Sequence, residues 1–106
     1  MIEVWVRRDG ARIAGYRVEG HAGWADSGND IVCAAVSALA IAAANGLDRL
    51  AGAVSKSESS EGRLEVALKG GIGWEAEVKA EAILETMLGA LRDIRDEYPG
   101  RIEIYD

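Results

Sequence analysis

The chain has 106 residues, of which 49% are apolar and 28% are charged, and it carries a net charge of −6. A chain of this length and composition folds around one core, so we treat residues 1–106 as a single domain. The negative charge argues against nucleic acid or an anionic membrane as the main partner. The single cysteine rules out an internal disulfide and leaves the reducing cytoplasm as the expected location.

The chain begins with a predicted β-hairpin and a loop. Apolar residues alternate from residue 2, which is the period of a half-buried strand. Asp9-Gly10 supplies a tight turn, and a return strand runs from residue 12 to residue 19. Residues 20 to 30 then form an irregular loop that contains three glycines.

A long helix follows from residue 31 to about residue 50, because apolar residues recur there at three- and four-residue spacings. Asp30 or Asn29 is its natural N-cap, since either side-chain oxygen can accept a hydrogen bond from a free amide. Small alanines on its other faces indicate close packing against a further surface. The longest apolar run, within residues 31 to 44, is too short to span a bilayer, so no membrane partner is expected.

The second half of the chain predicts three more strands and a second helix. We predict a polar strand over residues 54–59, a turn at Glu61-Gly62 and an alternating strand over residues 63–69. A glycine-rich connection follows over residues 70–74, then a helix over residues 75–97 and a last strand over residues 101–105. The element order is therefore β-β-α-β-β-α-β. Because hairpins make the sheet mostly antiparallel and two amphipathic helices need one apolar face, we predict an α+β two-layer sandwich with about five strands.

The only histidine and the only cysteine, His21 and Cys33, lie twelve positions apart in one segment. With Asp30 as the N-cap, Cys33 stands in the first helical turn, where free amides and the helix dipole favour a thiolate. A neighbouring imidazole can take the thiol proton, and the amides near Cys33 and Ala34 would hold the oxyanion of a tetrahedral intermediate. Asp30 either orients the imidazole or simply caps the helix. Covalent chemistry, if the protein performs any, is expected here.

Other interpretations of the same residues stay open at this point. A cysteine is often a small buried core residue, and a lone histidine in a glycine loop is often only solvated. A redox sensor at Cys33 is a further hypothesis, although no second thiol is present to resolve a sulfenic acid. One histidine, one cysteine and scattered carboxylates do not make a closed zinc set, so we expect no metal and no organic cofactor.

Two runs resemble the signature of the bacterial ribosomal-processing cysteine proteases, the Prp family: Gly20-His21-Ala22 and Asp30-Ile31-Val32-Cys33-Ala34-Ala35-Val36-Ser37-Ala38-Leu39. The resemblance implies a cysteine endopeptidase in which Cys33 is the nucleophile, His21 the general base and Asp30 the acidic residue before the helix. It also implies a homodimer that removes a short N-terminal extension from the twenty-seventh large-subunit ribosomal protein. This precursor would be bound as a peptide substrate, around which residues 20 to 30 reorder.

Two further side chains are candidate substrate contacts. Trp24 either packs against the substrate or closes the loop onto the body of the domain. Ser37, one turn after Cys33, either lines the site or bonds a backbone carbonyl, and we favour the structural role. We expect Trp5 and Trp74 to pack in the sheet or at an interface. The competing hypothesis is a non-catalytic dimeric interaction module for ribosome assembly, in which Cys33 would be inert.

Overall fold

The computed structural model describes residues 1–26 and 28–106. Its strands and helices are β1 (Ile2–Asp9), β2 (Arg12–Gly20), α1 (Ile31–Arg49), β3 (Val54–Ser60), β4 (Arg63–Leu68), α2 (Trp74–Glu97) and β5 (Ile102–Tyr105). The order β-β-α-β-β-α-β is the predicted one, and the bounds of every element agree with the prediction to within a few residues. The predicted α+β fold is confirmed.

The five strands form one mixed sheet in the order β3-β4-β2-β1-β5. Neighbouring strands are antiparallel except for β5, which lies parallel to β1. Both hairpins turn through a glycine with positive φ, +64° at Gly10 and +71° at Gly62, a conformation that residues with a Cβ rarely adopt. Because Glu19 at the end of β2 pairs with Arg63 at the start of β4, the β3–β4 turn lies beside the loop that carries the predicted site.

Both helices pack against the sheet in a single hydrophobic core. The largest side chains with almost no exposed surface are Val4, Val32, Val36, Leu47, Val66, Leu84, Leu88 and Leu91. Tyr16 of β2 joins the two layers, because its hydroxyl donates a 2.8 Å hydrogen bond to the Ala40 carbonyl of α1. Burial raises the pKa of Tyr16, so this hydroxyl remains a donor. These contacts fix α1 over the sheet.

Three apolar side chains at or near the ends of the helices are exposed. Leu50 and Val78 extend the apolar stripes of α1 and α2 beyond the core and are 66% and 47% exposed. Trp74 is 81% exposed, because it starts α2 more than one turn before the first buried residue of that helix. Trp74 therefore does not pack in the sheet, and its alternative place at an interface stays a prediction. Trp5 does lie in the sheet, where its ring stacks on that of Tyr105 with centroids 4.1 Å apart.

The two faces of α1 differ in their surroundings. The inner face contributes the buried residues Val32, Val36, Ala40, Ala43 and Leu47. The small residues Ala34, Ala38 and Ala42 on the outer face are exposed in the described part of the chain, so their packing against a further surface stays a prediction. By length and mean hydropathy alone, 1.8 over its most apolar window, α1 also meets the criterion for a membrane span, although its apolar run was expected to be too short. A core helix meets the same criterion, and α1 is built into the core.

Candidate active site

Asp30 is the N-cap of α1 and ties the loop to the helix. Its Oδ1 accepts hydrogen bonds from the amides of Val32 and Cys33, both at 3.0 Å. Its Oδ2 accepts from the amides of Trp24 at 2.9 Å and Ala25 at 3.4 Å. Each carboxylate oxygen thus accepts two amide hydrogen bonds. In this structure Asp30 therefore caps α1 and anchors the loop rather than orienting an imidazole.

The charge on Asp30 is held by these amides. Burial to 9% exposure raises the pKa of the carboxyl, but hydrogen bonds from the amides of Cys33, Trp24 and Ala25 and from the Cys33 thiol outweigh it. The net result is a pKa below the ordinary value of 3.8. Asp30 is thus ionised at neutral pH.

Cys33 stands in the first turn of α1, half-buried and with a free thiol. The amide of Ala22 donates a hydrogen bond to its Sγ at 3.2 Å. An N–H donor at this position stabilises a thiolate. Since Ala22 directly follows His21, the same bond brings the histidine loop onto the sulfur.

The amides that were expected to form an oxyanion hole are already engaged. The Cys33 amide donates to Asp30 Oδ1 at 3.0 Å, and the Ala34 amide donates to the Asp30 carbonyl oxygen at 3.1 Å. The expectation therefore disagrees with the structure, because the cap that starts the helix also uses its first donors. The Ala22 amide is the donor that the structure directs at the sulfur instead.

His21 is an exposed residue directly after β2. The preceding Gly20 has a φ of +97°, and its amide donates to the Gly62 carbonyl oxygen at 2.9 Å. The imidazole lies against the β3–β4 turn, since a Cβ built on Gly62 would stand 3.2 Å from Nε2 and 3.4 Å from Cε1. The ring therefore lies beside this turn, and no hydrogen bond joins it to Asp30 among the described residues.

His21 and Cys33 line the same two cavities, of about 310 and 480 Å³. Ser37 and Glu61 also line both. The smaller cavity extends between α1 and the β3–β4 turn, and the larger one extends over the loop towards Asp30. Together they form a groove across the start of α1, which we call the active-site groove. Within the described part of the chain, no three His, Cys, Asp or Glu side chains gather so as to hold a metal ion.

The two candidate substrate contacts occupy different places. Ser37 is exposed and lines the active-site groove. Trp24 lines neither cavity: its ring meets that of Tyr98 edge-on with centroids 5.2 Å apart, and the Arg101 guanidinium lies 5.7 Å from its centroid. Trp24 therefore closes the loop onto the body of the domain, which is the second of the two arrangements expected. A substrate contact by either side chain stays a prediction.

Three features of the site are missing from the sequence-based expectations. They are the Ala22 amide on the sulfur, the Glu61–Gly62 turn against His21, and the Arg101 guanidinium, which donates to the Gly23 carbonyl at 2.7 Å. A backbone amide and a turn glycine carry no side-chain signal. Arg101 is distant from the loop in sequence. The pairing of β2 with β4 is the one signal that could have brought the turn to the histidine.

Comparison with known proteins gives matches over almost the full length. A family model described as Cysteine protease Prp matches residues 1–103. The ribosomal processing cysteine protease Prp of Bacillus subtilis (strain 168) is 30% identical, over 98% of this chain and 96% of its own. The crystal structure of the essential ribosomal processing protease Prp from S. aureus with a covalently linked product peptide is 27% identical, with a TM-score of 0.86 and coverage of 99% and 98%. Its complex with a substrate peptide is 26% identical, with a TM-score of 0.81 and full coverage of both chains.

Proposed function

Because the chain belongs to the Prp family of cysteine proteases, we propose that it removes a short N-terminal extension from the twenty-seventh large-subunit ribosomal protein. The B. subtilis and S. aureus relatives are ribosomal processing proteases, which supports a ribosomal protein as the substrate class. The choice of this ribosomal protein follows from the family resemblance of residues 20 to 39. We further propose that the protein works in the cytoplasm, as a homodimer and without a cofactor.

The observation that carries the proposal is the N–H···S hydrogen bond of 3.2 Å from Ala22 to Cys33, in a groove that His21 also lines. It joins the residue next to the proposed base to the proposed nucleophile. His21 is the histidine that lines the groove with Cys33, so its imidazole is the base that would take the thiol proton during the reaction. The substrate peptide bound by the S. aureus relative supports a peptide in this groove.

In the proposed reaction, His21 takes the proton from Cys33 Sγ and the sulfur attacks the scissile carbonyl carbon. The tetrahedral oxyanion collapses and the C–N bond breaks. His21 then gives its proton to the leaving amine, and a thioester joins Cys33 to the removed extension. Water, deprotonated by His21, hydrolyses the thioester to a carboxylic acid and restores the thiol. The covalently linked product peptide of the S. aureus relative supports such a covalent route.

The test is cleavage of the unprocessed ribosomal protein, followed by mass spectrometry. We expect Cys33→Ala and His21→Ala each to lower kcat by about a thousandfold or more, because either change removes one partner of the proton transfer. Ser57→Ala, on the exposed strand β3 and outside the active-site groove, is the matched control and should cleave at the wild-type rate. Circular dichroism should show that all three variants are folded.

Other outcomes separate the parts of the proposal. Full activity of Cys33→Ala would exclude the nucleophile. Cleavage of a different ribosomal protein, with this one left intact, would retain the protease and replace the substrate. Sedimentation velocity tests the homodimer, since a single species with the mass of one 11.3 kDa chain at micromolar concentration would contradict it.

A further inference from the structure

We propose that the β3–β4 turn positions the proposed general base, with Gly62 as the positioning residue for His21. This inference rests on the proposed function, because it assigns a task to the turn within that reaction. It concerns a residue that contacts the imidazole and does not itself take part in bond making. Three observations support it. The main chains of Gly20 and Gly62 are joined by a hydrogen bond, Gly62 lies close to the imidazole, and the Asp30 oxygens already accept amide hydrogen bonds.

The main-chain tie fixes the turn next to the start of the loop. The Gly20 amide donates to the Gly62 carbonyl oxygen at 2.9 Å, one step beyond the last strand pair, Glu19 with Arg63. His21 is the next residue along the chain. The sheet therefore holds the turn at a set position relative to the backbone that carries the imidazole.

The close approach is between the ring and the backbone of Gly62. A Cβ on Gly62 would lie 3.2 Å from Nε2 and 3.4 Å from Cε1 of His21, closer than ordinary van der Waals contact. Glycine at this position thus leaves the space that the edge of the ring occupies. A side chain there would push the imidazole away by a few tenths of an ångström or more.

Of the described residues that line the groove, Asp30 is the carboxylate outside the turn, and its oxygens are engaged elsewhere. Each oxygen of Asp30 already accepts two amide hydrogen bonds. Glu61, the neighbour of Gly62, lines both cavities together with His21. The turn therefore supplies both the surface against which the ring rests and a negative charge beside the same groove.

The experiment compares Gly62→Ala with Gly10→Ala. Both glycines lie in hairpin turns at similar positive φ, +71° and +64°, so both substitutions strain the backbone alike. A Cβ on Gly10 meets nothing within 4 Å, whereas a Cβ on Gly62 meets the imidazole. Because a misplacement of 1 Å can cost about a hundredfold in rate, we expect kcat of Gly62→Ala to fall about five- to tenfold below that of Gly10→Ala, with KM within about twofold.

A second readout needs no substrate. The rate of Cys33 alkylation by iodoacetamide reports the thiolate, so it should fall in Gly62→Ala and stay at the wild-type value in Gly10→Ala. If wild type does not cleave the ribosomal precursor, the proposed function fails while the alkylation comparison still tests the positioning. Equal kcat and equal alkylation in the two variants would overturn the inference.

Gly62→Asn and Gly10→Asn keep the test decisive if the alanine variants fold poorly. Asparagine tolerates positive φ better than alanine does, yet it also introduces a Cβ. The same difference between the two positions is expected in this pair. Thermal melts should show that the two asparagine variants have similar stability.

Discussion

At the scale of single residues, Asp30 contributes to the site by holding the loop and the start of α1 together. It joins the first turn of α1 to the loop by four amide hydrogen bonds and so places the Ala22 amide and Cys33 within one short network. The sequence allowed either capping or orientation of His21. The geometry favours capping, because both carboxylate oxygens accept amide hydrogen bonds and, among the described residues, His21 donates none to Asp30.

Asp30→Asn tests this arrangement. An asparagine has one acceptor oxygen in place of two, so it cannot serve the loop and the helix together, and we expect the melting temperature at pH 7 to fall by roughly 5 to 10 °C. We also expect alkylation of Cys33 to change, since the substitution removes a negative charge next to the sulfur. Differential scanning calorimetry measures the first effect and iodoacetamide kinetics the second.

The difference in melting temperature between wild type and Asp30→Asn should change with pH in one direction. The folded pKa of Asp30 lies below its ordinary value of 3.8, so its stabilising effect is present above that pH and is lost as the pH falls through the folded pKa. The difference in melting temperature between wild type and Asp30→Asn should therefore be constant at neutral pH and shrink in acid. Asp106 also has a lowered pKa, but it titrates in both proteins and cancels in the difference. A difference that grows in acid would contradict the assignment.

At the scale of elements, the histidine loop is held by the end of the chain as well as by α1. Arg101 Nη1 donates to the carbonyls of Gly23 at 2.7 Å and Ala22 at 3.4 Å, and its guanidinium lies over the Trp24 ring. Tyr98, which follows α2, meets the Trp24 ring edge-on with centroids 5.2 Å apart. The loop therefore depends on α2 and on the segment that leads into β5.

Arg101→Ala should loosen the loop without unfolding the domain. We expect slower alkylation of Cys33, by several-fold, because the peptide unit that presents the Ala22 amide to the sulfur loses its neighbouring support. Limited proteolysis should cut within residues 20 to 30 more readily than in wild type. Arg95→Ala is the control, since Arg95 pairs with the adjacent, exposed Asp96. Identical alkylation rates in the two variants would show that Arg101 does not support the site.

The elements themselves were predictable from sequence because they follow from local patterns. Alternation, helical spacing and turn glycines are visible within a dozen residues, and they gave β1 to β5 and both helices. The active-site groove could not be predicted in the same way, because its contacts depend on which strands and segments lie next to each other in the folded chain. The contact of Gly62 with His21 follows from the β2–β4 register, and that of Arg101 with Gly23 from the path of the last strand. The sequence left Trp74 open between the sheet and an interface, because an aromatic residue near a helix start has the same local pattern in both places.

At the scale of the whole molecule, the groove and the charged cluster around Asp106 lie at opposite ends of β1. Ile2 pairs with Gly20, next to the groove, whereas Arg8 pairs with Ile13, about 20 Å further along at the rise of a strand. There Arg8 contacts Asp106 at 2.7 Å, and Arg92 of α2 contacts the same carboxylate at 2.9 Å. This cluster joins β1, α2 and the residue after β5 without touching the groove.

Stability and catalysis should therefore separate in Asp106→Asn. The hydrogen bond from Arg8 is the largest cause of the lowered pKa of Asp106, so its stabilising effect is present at neutral pH and is lost as the pH falls below about 4. We expect the substitution to lower the melting temperature at pH 7 by about 3 to 6 °C and to leave kcat and KM unchanged at 25 °C. Gly62→Ala should show the opposite pattern: its kcat should fall below that of Gly10→Ala, although the two variants have similar stability. If Asp106→Asn lowers kcat in the folded protein, the two ends of the sheet are coupled and the groove is not autonomous.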